Sequence, residues 1–235
     1  ADLAQLAADH PKLAQWIDIG DSWLKTSTGG AEGNDLYTLV LTNSAIPGPK
    51  PRLFVMAAIH ARELTTAEVA ARFAELLVSR YGSDPQATWL LDYNEVHILA
   101  QTNPDGRQRA EAAAANPVGN PNLLWRKNVN NTNGCSDNRL YGVDLNRNGS
   151  FRWGACTGFG CSSPYACDLT YRGSAAASEP ETQAVEAYLR SIFPDARGPL
   201  LSDAAPEGTP GVLVSLHSYS QLVLFPWGWS SAPAP

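Results

Sequence analysis

The sequence predicts an α/β fold, and three observations carry that prediction. Residues 53–59 form a continuous apolar run with the β-branched and aromatic content of a fully buried strand. Behind it, residues 64–81 place Ala67, Ala70, Ala71, Ala74, Leu77 and Val78 at helical spacing, with Glu68, Arg72, Glu75 and Arg80 between them. Two further apolar runs, 96–101 and 211–216, read as strands, and each follows a segment with helix-start signals.

Taken in order, residues 2–9 predict a short helix that ends before Pro11. Strands are expected over 14–24 and 35–42, on either side of a turn region rich in Gly, Ser and Thr. Pro47, Pro49 and Pro51 make 46–51 a connector into the buried strand. Asp84 and Pro85 suit the N-cap and first turn of a helix reaching about residue 91. The strand 96–101 runs into Asn103-Pro104-Asp105-Gly106, a strong turn signal, and a short helix is expected over 107–115. Residues 116–171 are irregular and dense in Asn, Gly, Ser and Cys, as expected of a long loop that is functional or cross-linked. Ser178-Glu179-Pro180-Glu181 is a capping box with an early proline, opening a helix to about residue 193. Strand 211–216 stops at His217, residues 222–225 form another apolar run, and the last six residues are Ser, Ala and Pro.

At 235 residues, 44% hydrophobic and 17% charged, the chain fits one ordinary globular domain over 1–235. A net charge of −6 argues against a nucleic-acid surface. No apolar run approaches the roughly 18 residues of a membrane span. Signal-peptide features are not seen, and with Ala1 first the chain is expected to be a mature form or a piece of a longer one. Cys135, Cys156, Cys161 and Cys167 lack paired C-x2-C spacing and have no histidine nearby, so two disulfides are expected rather than a zinc cluster. Three pairings are open at this point. Disulfides imply an oxidising compartment, hence a secreted or periplasmic protein.

The chemistry lies at the strand ends. One buried strand delivers His60, with Glu63 three residues on, and another delivers His217. If both strands are parallel members of one sheet, both imidazoles emerge at the same edge, where open α/β sheets bind ligands. Two imidazoles and a carboxylate, with a fourth position left for water, are the donor set of a catalytic zinc site; Co2+ would bind similarly. His10, beside a proline near the start, and His97, inside a strand, are poorer candidates.

Beyond this pair of strands, H-A-R-E, N-P-D-G, L-W-R-K-N, G-V-D-L-N-R-N, T-Y-R-G, S-E-P-E-T and L-H-S-Y-S-Q, in that order, resemble the zinc metallocarboxypeptidases of the carboxypeptidase A type. The likeness runs from about residue 12 to the end. It implies an α/β/α sandwich around a twisted, mixed parallel and antiparallel sheet of about eight strands. It implies one Zn2+ per chain held by His60, Glu63 and His217, with Asp144 orienting the first histidine. Arg126 matches the arginine that stabilises the oxyanion, a task suited to a permanently charged, multi-donor group. Asn146 and Arg147 match the pair that grips the substrate's terminal carboxylate, and Arg62 and Tyr219 match residues lining the upstream subsites. The same likeness pairs Cys135 with Cys167 and leaves Cys156 to Cys161.

In that family the general-base glutamate, a mobile tyrosine and the floor of the specificity pocket lie further downstream than the 18 residues that follow His217 here. About a quarter to a third of the catalytic domain is therefore expected to be missing from this chain, by ordinary domain anatomy. Glu179, Glu181 and Glu207 match no catalytic position. The expected partners are a peptide or protein with a free C-terminus and the chain's own C-terminal fragment, with the protein a monomer that binds neither nucleic acid nor membrane. Two alternatives are a zinc amidase of the same fold, acting on cell-wall peptides or acyl amino acids, and a non-catalytic zinc- or peptide-binding remnant.

Overall fold

The computed structural model describes residues 2–156, 161–200 and 202–230; residues 231–235, most of the Ser, Ala and Pro ending, lie outside the described residues. Five strands, Ala14–Asp21 (β1), Asp35–Leu41 (β2), Arg52–Met56 (β3), Glu95–Leu99 (β4) and Val212–Ser215 (β5), form one sheet in the order β1-β2-β4-β3-β5. The first three in that order pair antiparallel, and β4, β3 and β5 run parallel. Parallel neighbours need a crossover. Helices Leu64–Arg80 (α3) and Pro85–Tyr93 (α4) make the one from β3 to β4.

Alternation along the strands sends side chains to two cores. Leu39, Leu41, Val55, Val96 and Ile98 pack with Ala70, Ala74 and Leu77 of α3, Leu91 of α4, and Leu3 and Ala7 of helix Leu3–Asp9 (α1). Leu36, Phe54, Met56 and Leu99 pack with Ala184, Val185 and Ile192 of helix Pro180–Ile192 (α7). The layers are thus α/β/α as expected, with five strands among the described residues against the eight or so implied by the resemblance. The alanine stripe of α3 lets that helix lie close on the sheet. No described helix is long and apolar enough to cross a membrane.

Several elements differ from the sequence reading, each for a local reason. The strand expected over 14–24 ends at Asp21, and a short helix, Trp23–Ser27 (α2), follows with Ser22 as its cap. Its first N–H groups find acceptors far away in sequence: Trp23 N donates to Glu181 (2.8 Å) and Leu24 N to Asp105 (3.0 Å). The Asn-Pro-Asp-Gly stretch is the start of helix Pro104–Ala114 (α5), with Asn103 Oδ1 accepting from Gly106 N at 3.1 Å. A turn-forming Asx residue before proline serves equally as a helix cap. The apolar run 53–59 stops pairing at Met56. Its last three residues stay buried in irregular backbone, with Ala58 at φ 52°. Among the described residues of 116–171 the helical elements are a 3-10 turn, Pro121–Leu124, and a one-turn helix, Leu145–Asn148 (α6). Disulfides Cys135–Cys167 and Cys156–Cys161 cross-link this region.

Candidate metal centre

The turn after β3 is held rigid. Ala57 N donates to Leu99 O and Thr102 N to Ala57 O, so the backbone stays sewn to β4 beyond the strand proper. Thr66 Oγ1 donates to Glu63 O (2.8 Å) and accepts from Ala58 N (3.0 Å), closing the loop that presents His60 and Glu63 at the start of α3. On the other side of β3, β5 pairs in parallel, with Met56 opposite Ser215, and Leu216 N donates to Met56 O. His217 therefore emerges at the sheet edge that presents His60, as the strand ends predict.

The three side chains converge. His60 Nδ1 lies 2.8 Å from Glu63 Oε1, His217 Nδ1 lies 3.1 Å from Glu63 Oε2, and the two Nδ1 atoms are 3.2 Å apart. Donors about 2.0–2.2 Å from a tetrahedral metal ion are roughly 3.3–3.5 Å from one another, so this cluster is close to the cage such an ion requires. Two ring nitrogens and a carboxylate offer lone pairs to one point, and the donor set fits zinc. His60 and Glu63 are buried, whereas His217 is exposed.

Each imidazole turns its other nitrogen outward. His60 Nε2 lies 3.2 Å from Asp144 Oδ1, with the ring tilted off a straight hydrogen bond. His217 Nε2 lies 3.2 Å from the Ser215 hydroxyl. Asp144 is fully buried and also binds Arg126, whose Nε and Nη2 donate to Oδ2 at 3.1 and 2.8 Å. Burial alone would push the Glu63 carboxyl up. The hydrogen bonds from His217 and His60, with that of Ser218 N–H, outweigh it and hold the group at about 2. Burial pulls the His60 imidazole down, but the carboxylates of Asp144 and Glu63 raise it overall. Asp144 is likewise pushed up by burial and brought below its usual range by His60 and Arg126. Glu63 and Asp144 are thus both favoured in their ionised forms here, and Asp144 is already paired with Arg126.

Arg126 is brought to this centre by its own backbone, since Ala61 N donates to Arg126 O at 3.1 Å. Asn146 and Arg147 lie two and three residues after Asp144 on α6, which Asp144 caps by accepting from Asn146 N. Asn146 is exposed and Arg147 half-buried, and both line a cavity of about 460 Å³ with Phe151, Trp153, Leu224 and Trp229. Arg62 and Tyr219 point to solvent, Tyr219 almost fully, and neither is hydrogen-bonded to the His60 cluster. A larger cavity, about 680 Å³ between α1, Trp16 and Arg107, touches none of these residues.

Sequence reading missed Ser215 and the backbone of Ser218. Period-two alternation puts Ser215 on the same side of the strand as His217, which was the available signal. It missed Lys127 too, a buried ammonium that donates to Ala166 O and Asp168 O and that burial lowers to about 8. No local pattern announces a lysine buried against loop carbonyls.

The zinc carboxypeptidase family model matches residues 1–235. Carboxypeptidase A1 of Rattus norvegicus is 31% identical over 230 residues, covering 98% of this chain and 45% of the relative. Carboxypeptidase A1 of Bos taurus is 30% identical over the same coverage. Among solved structures, thrombin activatable fibrinolysis inhibitor superposes with a TM-score of 0.75 at 26% identity, covering 98% of this chain and 48% of that one. Carboxypeptidase A from Helicoverpa armigera gives 0.66 at 24%, a likeness of fold. The chain spans about half the length of the curated relatives it matches. With its layered fold and its two histidines and glutamate converging at one sheet edge, the chain belongs to the zinc carboxypeptidase family.

Proposed function

We propose that this chain is the N-terminal portion of a single catalytic domain that hydrolyses the C-terminal peptide bond of peptides and proteins with one bound zinc ion. The observation that carries this reading is the meeting of His60 Nδ1, His217 Nδ1 and the Glu63 carboxylate within 2.8–3.2 Å, beside the Arg126–Asp144 pair. His60, Glu63 and His217 would hold the ion. When bound, zinc supplies Lewis acidity toward a peptide carbonyl and makes water a usable nucleophile at neutral pH.

The chain's own residues do the rest. Arg126 stabilises the negative charge that develops on the carbonyl oxygen, and Asp144 fixes its guanidinium in place beforehand, so no reorganisation is needed during reaction. Asp144 also holds the His60 ring so that Nδ1 faces inward. Arg147 and Asn146 grip the substrate's terminal carboxylate, and the cavity beside them receives the last side chain. Arg62 and Tyr219, exposed on the approach, contact residues further upstream. Glu179 and Glu181 are buried in α7 and its cap, away from this face, and are not the general base. The two disulfides support an oxidising compartment, secreted or periplasmic.

The test uses the full-length protein with a peptide and its C-terminal amide. Release of the last residue from the acid only, loss of turnover on chelation and its return with zinc are expected. Arg147→Met should raise KM for the acid. Equal cleavage of acid and amide would overturn the exopeptidase assignment, and turnover untouched by chelation would overturn the zinc assignment.

A further inference from the structure

Two acids that take no part in that reading are among the most buried groups in the molecule: Glu179 is 2% exposed and Glu181 fully buried. Between them sits Asn128, also fully buried. Its amide NH2 donates to Glu179 Oε2 at 2.8 Å and to Glu181 Oε2 at 3.3 Å. Asn130 Nδ2 and the Ser178 hydroxyl donate to Glu179 as well, and Trp23 N donates to Glu181. The named donors are neutral, so nothing in this set replaces the Asn128 amide with a counter-charge.

The other side of Asn128 faces the metal centre's supports. Asn128 Oδ1 accepts from Val143 N at 2.8 Å, and Asn128 N donates to Val143 O at 3.0 Å. Arg126 lies two residues before Asn128, and Asp144 one residue after Val143. The two segments run so close that a Cβ at Gly142 (φ +95°) would lie 2.2 Å from Asn128 O. The Glu179 and Glu181 oxygens accept from the Asn128 NH2, which turns the amide so that Oδ1 is left for Val143 N. Glu179 N also donates to Asn148 Oδ1 at 3.1 Å, tying the same corner to α6.

We propose that Asn128, gripped by Glu179 and Glu181, is a positioning residue that sets the spacing of Arg126 and Asp144, and through them the oxyanion donor and the orientation of His60. The proposal rests on the roles assigned above to Arg126 and Asp144. An isosteric change here should therefore act more on the chemical step and the metal than on the carboxylate grip.

The experiment uses the full-length, zinc-loaded protein with Asn128→Asp and Glu179→Gln. The readouts are kcat and KM on a short peptide acid, zinc dissociation by competition with a chelator, and the thermal midpoint. Asn128→Asp, which sets a third acid against the pair, is expected to lower kcat and zinc affinity by about 10- to 100-fold, the range for supports of metal ligands, with KM within about twofold. Glu179→Gln should shift both the same way by a smaller factor, and it decides the matter if Asn128→Asp does not fold. A lowered thermal midpoint with kcat and zinc affinity unchanged would overturn the proposal. Arg126→Ala and Asp144→Asn, run beside them, separate the two readings. If those direct variants are silent, the assignment of the site fails. If they act and the Asn128 and Glu179 variants do not, only the positioning role fails.

Discussion

Asp144→Asn changes no volume, yet it sets the carboxylate's two tasks against each other. Oδ2 accepts two donors from Arg126, at 3.1 and 2.8 Å, while Oδ1 accepts Asn146 N at 3.1 Å and lies 3.2 Å from His60 Nε2. Asparagine has one oxygen for these two sides. With the oxygen toward Arg126, the amide NH2 faces His60, whose Nε2 must then accept and whose proton moves to Nδ1, the atom that would face the proposed metal. Zinc affinity should fall by about 10- to 100-fold, or roughly 1.4–2.7 kcal/mol. With the amide reversed, Arg126 loses its anchor, and if it is the oxyanion donor proposed above, its misplacement costs about 10²–10³ in kcat. Either way the Arg126 side chain, 13% exposed, is left beside a neutral group, for a stability loss of about 3 kcal/mol. Chelator competition, steady-state kinetics and urea unfolding of the full-length protein measure the three effects. Zinc affinity and kcat both within twofold of the unsubstituted protein would refute the account.

Other consequences are as open to measurement. Burial, against the bond from Trp23 N–H, raises Glu181 from its ordinary 4.5 to about 7. Between those values the folded protein keeps a proton that the unfolded chain releases, so stability falls as pH rises across the window, by about 1.4 kcal/mol per unit. Glu181→Gln should remove one proton's worth of that slope in unfolding curves from pH 4.5 to 7, and an unchanged slope would contradict it. Gly142→Ala combines φ +95° with a 2.2 Å approach to Asn128 O. It should destabilise by more than about 2 kcal/mol, read as a lower urea midpoint. Replacing both Cys135 and Cys167 by serine opens a 32-residue separation and should cost about 3 kcal/mol, seen as a lowered thermal midpoint.

What local pattern records was legible, and what distant partners decide was not. The apolar run before His60, the alanine stripe of α3 and the proline that opens α7 each declare their element, because the signal lies within a few residues; the capping box itself does not form, since Glu179 is the cap and makes no side-chain bond to the helix N–H groups. The convergence of His60, Glu63 and His217 was legible too, since two strands ending in histidine need only be parallel neighbours to meet. The helix at Trp23 was hidden because the carboxylates that receive its N–H groups lie 158 and 81 residues away. Asn103 misled in another way, as the same side chain closes a turn or opens a helix. Ser215 and Asn128 escaped because their work is to hold other residues, and neither carries charge or a metal-binding atom to mark it.

The position of β5 in the sheet has a consequence for how the molecule comes apart. Two of the three converging donors sit on buried turns, three residues apart, whereas His217 hangs from a strand that among the described residues pairs with β3 alone, with Val212, Leu213 and Val214 exposed. An ion held by all three would close a loop of 154 residues from Glu63 to His217, against 32 for the longer disulfide. By the logarithm of those lengths it restrains the unfolded chain by roughly 1.4 kcal/mol more than that disulfide does. Zinc would then be a third cross-link, tying β5 to the turn that follows β3.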